Sequence, residues 1–244
     1  PGETNFEHLI TLSIAKQLKV KSIHILDGFP ILNDKSIENM NESGKILQFS
    51  RYVGYGQAGY KHYIDIRKIP KQKVLIAQTP LASRSTVGEN RDILIMAYYP
   101  NQHNPEARWD MRFKIAYEVI KLLDESNQES IALKIKDGHG SKKEAAMYRL
   151  FFKILGLDIP LKIIRGESFD SIKTARYVIG QASSAIFECA ILNIPFYLYE
   201  PNEAGTPKNY LLSHLGDLQN ASKTIDQLKK SISAKKSIEY IKHE

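Results

Sequence analysis

The sequence predicts an α/β fold built on parallel sheets of the Rossmann-like kind. Three observations predict it. From residue 92 onward, short apolar runs alternate with longer stretches of helical period, and repeated β-then-α order implies a parallel sheet with helices on both faces. The apolar runs are rich in Ile, Val, Leu and Tyr and end in turn-forming residues. Residues 176–200, RYVIGQASSAIFECAILNIPFYLYE, compress one βαβ unit. There the run Tyr177, Val178, Ile179 meets Gly180, the hydroxyls of Ser183 and Ser184 follow, a helical pattern ends near Leu192, and a second apolar run extends from Pro195 to Tyr199.

Taken in order, residues 5–18 place Phe6, Leu9, Ile10, Leu12, Ile14, Ala15 and Leu18 at amphipathic-helix spacing, with Thr4 or Asn5 as cap. KSIHIL (21–26) alternates like a strand and stops at Asp27-Gly28-Phe29-Pro30. KILQF (45–49) is a strand candidate. RYVGYGQAGYKHY follows, whose glycines (Gly54, Gly56, Gly59) and tyrosines (Tyr52, Tyr55, Tyr60, Tyr63) suit a surface loop or a stacking surface for a sugar or base. KVLIA (73–77) is the next strand. Residues 79–91 lack apolar periodicity and read as a linker, dividing the chain into domains 1–88 and 89–244. Strands are then expected at 92–98, 130–136 and 161–164, and helices at 107–125, 141–155 and 168–175, before the βαβ unit and a helical tail from Pro207.

Composition narrows the functional classes. The chain has 244 residues, 43% hydrophobic and 25% charged, as in ordinary globular proteins. A single cysteine, Cys189, excludes an internal disulfide, points to a reducing, cytoplasmic compartment, and reads as core packing. No apolar run approaches the ~20 residues that span a bilayer. The chain starts at Pro1 without Met, so part of the first domain is expected to lie upstream. The net charge is +7, but the basic residues are scattered apart from KQLKVK (16–21) and KKSISAKK (229–236). No nucleic-acid motif accompanies them, so nucleic acid is not expected as a partner. A solvated face, or weak attraction to anionic lipid or a phosphorylated substrate, suits the charge better, and the basic tail offers a peripheral membrane contact.

In open α/β sheets ligands sit beyond the carboxyl ends of the strands, which selects the loops around Asp27-Gly28, 98–104, 137–141, 165–170 and 180–184. The first N–H groups of the helix after Gly180 favour an anion, and paired serines there add hydroxyl donors; a cap needs one serine, so the second is surplus. Lys134, Lys136 and His139, in LKIKDGHGSKKE, could neutralise or protonate a leaving phosphate, with Gly138 and Gly140 admitting close backbone approach. The plainer alternative is a solvated lysine pair and a capping box of Ser141 and Glu144. Glu167 could accept from a ribose diol or simply favour a helix N-terminus. Asp27 could be a general base or a turn residue. His62, His103 and His214 lack zinc-ligand spacing, and no metal site is expected.

The order of these features resembles the GT-B glycosyltransferases, most of all the bacterial sialyltransferases and related capsule enzymes that use CMP-activated sugars. Leu26-Asp27-Gly28 looks like that group's acidic-residue-Gly motif, Lys136-Asp137-Gly138-His139-Gly140 like a degraded His-Pro motif, and Ser183-Ser184 like its paired Ser/Thr motif. Gly140 stands where the family has Pro, and Leu26 where a second carboxylate often sits. The resemblance implies two Rossmann-like domains, the N-terminal, acceptor-side one incomplete, and metal-independent transfer of a sialic-acid-like or Kdo-type sugar to a glycan or lipid-linked glycan. By that resemblance Asp27 deprotonates the acceptor, His139 with Lys136 handles the phosphate, Ser183 and Ser184 bind it, and Glu167 holds the ribose. UDP-sugar transferases, UDP-sugar 2-epimerases and teichoic-acid-type glycerophosphotransferases share the architecture. A non-catalytic nucleotide-sugar-binding subunit is the alternative of another class.

Overall fold

The computed structural model describes residues 6–25, 49–78, 92–98, 109–126, 130–136, 141–157, 161–181, 183–201 and 221–238. Asp27, Gly138, His139 and Gly140 therefore lie outside the described residues, as do the linker residues 79–91 and most of the tail up to 220. The chain forms two compact units.

The first unit holds helix α1 (Phe6–Gln17) and a parallel sheet in the order β1-β2-β3, made of Ile23–Ile25, Arg51–Tyr55 and Val74–Ala77. Helix α2 (Gly56–Lys61) follows β2 directly and continues as a π-helical turn over His62–Ile66. Residues 45–48 of the strand expected at 45–49 lie outside the described residues. The loop expected over RYVGYGQAGYKHY is corrected: RYVGY is a strand, and a strand-to-helix turn follows it. Tyr52 and Tyr63 are not stacking surfaces for a ligand; both are buried, their ring centroids 5.3 Å apart, and the Tyr63 hydroxyl lies 2.6 Å from His24 Nδ1.

The second unit is a five-stranded parallel sheet, order β6-β5-β4-β7-β8. Its strands are β4 (Asp92–Met96), β5 (Ile131–Lys134), β6 (Lys162–Ile164), β7 (Ala175–Gly180) and β8 (Phe196–Leu198). The helices are α3 (Trp109–Glu125), α4 (Ser141–Ile154), α5 (Ser168–Ile172), α6 (Ala185–Leu192) and α7 (Ile225–Ser233). One face is a continuous core: Ile93, Ile95, Ile131, Leu133, Tyr177 and Ile179 pack with Val119, Ile120 and Leu123 of α3, Tyr148 and Phe152 of α4, and Leu228 of α7. The alternate residues Leu94, Ala132, Val178 and Phe196 are also buried, as are Phe169 and Ile172 of α5 and Ile186 and Cys189 of α6. Both faces are thus covered, as a parallel sheet requires, and the strands read as continuous apolar runs for that reason. Cys189 is core packing. Gly180 is small for the same cause: a Cβ there would meet Met96 Cβ at 3.0 Å and Phe196 Cζ at 3.2 Å.

The strand order reverses at β4. The chain runs outward through β5 and β6, then returns to β7 on the other side. Loops leaving the carboxyl ends of β4 and β7 therefore part from each other, and the crevice between them is where ligands bind in such sheets.

Candidate functional site

The carboxyl end of β7 delivers Gln181, Ser183 and Ser184 to that crevice, and α6 starts there. The Ser183 carbonyl accepts from Ile186 N at 3.1 Å, and the Ser184 carbonyl from Phe187 N at 3.0 Å. These bonds occupy the N–H groups of Ile186 and Phe187, so among the leading N–H groups those of Ser184 and Ala185 are the ones with no partner within the helix. Ser184 is the N-cap, yet its side chain makes no capping bond. Ser183 Oγ is covered and has no hydrogen-bond partner. Neither hydroxyl is spent on the cap, so the plainer explanation for two serines fails. α6 ends at Asn193 in the left-handed conformation (φ 53°), which turns the chain into β8.

The structure adds a residue that the sequence reading did not single out. Glu188 lies on the first turn of α6; its Oε1 accepts from Ser168 Oγ at 2.9 Å, and its Oε2 is buried without a partner. Burial pushes this carboxyl above its usual 4.5; the Ser168 bond and Lys134 pull it partly back, and Glu167 adds to the rise. The Ser168–Glu188 bond ties the start of α5 to α6 and so brings Glu167, Ser168, Glu188 and Lys134 into one neighbourhood. A signal was available: Glu188 is a carboxylate in an otherwise apolar helix, AIFECAIL. An uncompensated carboxylate there costs stability and needs a reason.

Lys134 corrects the solvated-pair alternative. It is buried, and its Nζ donates to the Ile135 carbonyl at 2.6 Å. Lys136, two residues on, is exposed at the carboxyl end of β5. Glu167 is exposed and caps α5 through its backbone alone, without a side-chain capping bond, which leaves its carboxylate available. The expected capping box on α4 does not form as read: Ser141 is already helical, and Glu144 turns to Arg112 Nη1 at 3.5 Å. At the crevice floor, Tyr98 is buried at the end of β4 and donates to the Tyr199 carbonyl at 2.5 Å. Burial first, then Glu200 and Tyr199, raises its phenol well above 10.0. Among the described residues no cluster of His, Cys, Asp or Glu is arranged to hold a metal ion.

In the first unit, the glycines at 54, 56 and 59 have the G-x-G-x-x-G spacing after a strand, which the loop reading hid. Their visible task is packing. A Cβ on Gly54 would fall 2.5 Å from the Gly59 carbonyl carbon, and Gly56 has φ +60°.

No family model and no curated protein matches this chain. Solved structures do. The UDP-GlcNAc 2-epimerase of Methanocaldococcus jannaschii, crystallised with UDP-GlcNAc and UDP, is similar over 93% of this chain and 65% of its own, with a TM-score of 0.55 and 15% identity. The fold is GT-B-like. The wall teichoic acid polymerase TagF is similar over 87% of this chain and 59% of its own, with a TM-score of 0.51 and 11% identity. The chain thus spans just under two thirds of these structures, 65% and 59%. At such identities the likeness concerns the fold.

Proposed function

We infer that this protein is a nucleotide-sugar-dependent GT-B transferase whose second unit holds the donor nucleotide at the start of α6. One observation carries the reading: two adjacent serines at a helix N-terminus beside a topological switch point, neither hydroxyl used for capping. A phosphate there meets the helix dipole, the N–H groups of Ser184 and Ala185 and two O–H donors. Glu167 and Glu188 are the carboxylates placed to accept from a ribose diol. On this reading residues 89–244 are the donor domain and 1–88 the acceptor side.

In the reaction, the bond from the anomeric carbon to the donor phosphate breaks, and the electron pair leaves with the nucleotide. Lys136 and His139 offset or protonate that leaving charge. The acceptor hydroxyl forms the new C–O bond and gives its proton to Asp27. A positioned acid or base of this kind is worth ~10²–10⁴-fold in rate. No step requires a metal.

The motif resemblance favours a CMP donor carrying an acidic sugar. A UDP-sugar donor is the second reading, favoured by the epimerase of the same fold crystallised with UDP-GlcNAc and UDP. A thermal-shift panel of CMP, UDP and CDP distinguishes them. The preferred nucleotide raises the midpoint, and Ser183→Ala combined with Ser184→Ala removes the shift. Stabilisation by no nucleotide, or stabilisation that survives the double substitution, overturns the reading.

A further inference from the structure

We propose that the outward face of α4 is a docking surface for an anionic lipid bilayer. The helix is buried on one side through Ser141, Ala145, Tyr148 and Phe152. The opposite side exposes Met147 (45%), Leu150 (60%) and Ile154 (72%), and Leu155 (42%) extends the row past the helix end. At α-helical spacing Lys143, Met147, Leu150 and Ile154 fall within about 60° of arc. Lys142, Arg149 and Lys153 run along one border of that strip, all exposed. None of these four cations makes an ion pair among the described residues, and the helix's acidic residue, Glu144, faces Arg112 instead. The exposed surface of α4 is therefore aliphatic and purely cationic.

The neighbouring α3 differs from α4, whereas α1 shares the trait, exposing Ile10 and Ile14 with Leu18 beyond its end. The exposed positions of α3 include Lys114, Lys121, Asp124 and Glu125, with no large apolar residue among its described side chains from Met111 on, and its lysines pair at i,i+4 with Glu118 (3.9 Å) and Glu125 (3.8 Å). On α7 Lys229 and Lys230 are exposed, but no large apolar side chain is. An isolated exposed Leu needs no explanation; an unbroken row flanked by cations of one sign does. Charge complementarity selects the occupant. A bilayer surface offers an acyl boundary for Met147, Leu150 and Ile154 and anionic headgroups for long basic side chains, which keep their charged ends in the polar layer. No helix among the described residues is long and apolar enough to cross a membrane, so the contact is one of lying on the surface.

Co-sedimentation of the full chain with phosphatidylcholine vesicles, and with vesicles that also contain phosphatidylglycerol, tests this. The expected result is binding to the anionic vesicles that weakens with salt. Leu150→Gln with Ile154→Gln should abolish it while leaving the circular dichroism spectrum unchanged. Lys142→Gln with Lys153→Gln should weaken partitioning about fivefold for each cation removed. The proposal is overturned if the chain ignores phosphatidylglycerol, or if neither variant changes sedimentation. It is also overturned if ultracentrifugation shows a dimer that the Leu150/Ile154 variant dissociates, since the face would then be a protein interface.

Discussion

Two side chains of the second unit, Ser183 and Glu188, hold polar atoms that folding leaves unsatisfied, and the proposed function gives both to the ligand. Ser183 Oγ is covered and unpartnered, so Ser183→Ala removes nothing the fold uses. Its midpoint should stay level or rise, by no more than ~1 kcal/mol in stability, while nucleotide affinity falls by ~1.5–3 kcal/mol for a lost bond to a charged group. Calorimetric titration beside thermal unfolding checks both halves. Glu188 predicts a pH signature. Its folded carboxyl binds a proton more tightly than the 4.5 of the unfolded chain, chiefly through burial. Stability is therefore full below the unfolded value and is lost as pH rises through the folded one. Glu188→Gln should melt higher than the parent at neutral pH, with the difference closing as pH falls below 4.5. A constant difference across that range would show that folding leaves the proton affinity of Glu188 unchanged.

Among elements, the turn from β2 into α2 is the tightest. Gly54→Ala drives a Cβ to 2.5 Å from backbone at Gly59, and backbone cannot swing aside as a flexible side chain does. We expect a loss of ~1–3 kcal/mol, the usual cost of overpacking, read by chemical denaturation. The start of α7 is a milder case. Thr224 Oγ1 accepts from Gln227 N at 3.3 Å, and Gln227 reaches back to complete a capping box. Thr224→Ala should cost ~1 kcal/mol. The same elements show what the sequence disclosed. Strands of the second unit were legible because both faces are buried and each reads as an apolar run. β2 was not, because Gly54 interrupts the run and the buried tyrosines look amphipathic. Of the proposed site, Ser183, Ser184, Glu167 and Lys136 could be named as candidates from sequence because they follow strands. Glu188 was not: it lies inside a helix and takes part only through the Ser168 bond, a contact twenty residues apart in sequence.

At the scale of the molecule, an order of β6-β5-β4-β7-β8 places one crevice at a reversal of strand order, and the paired serines stand at its edge. The sequence order of strands and helices sufficed to predict a parallel sheet, but not which strands are neighbours; that follows from long-range pairing such as Asp92 with Ala175. The most direct test of the account is amide hydrogen exchange of the full chain with and without saturating CMP or UDP. The account predicts slowed exchange at residues 184 and 185, the unpartnered amides at the start of α6, and no such effect in the Ser183→Ala, Ser184→Ala variant. Binding that protects other amides and leaves 184 and 185 unchanged would contradict it.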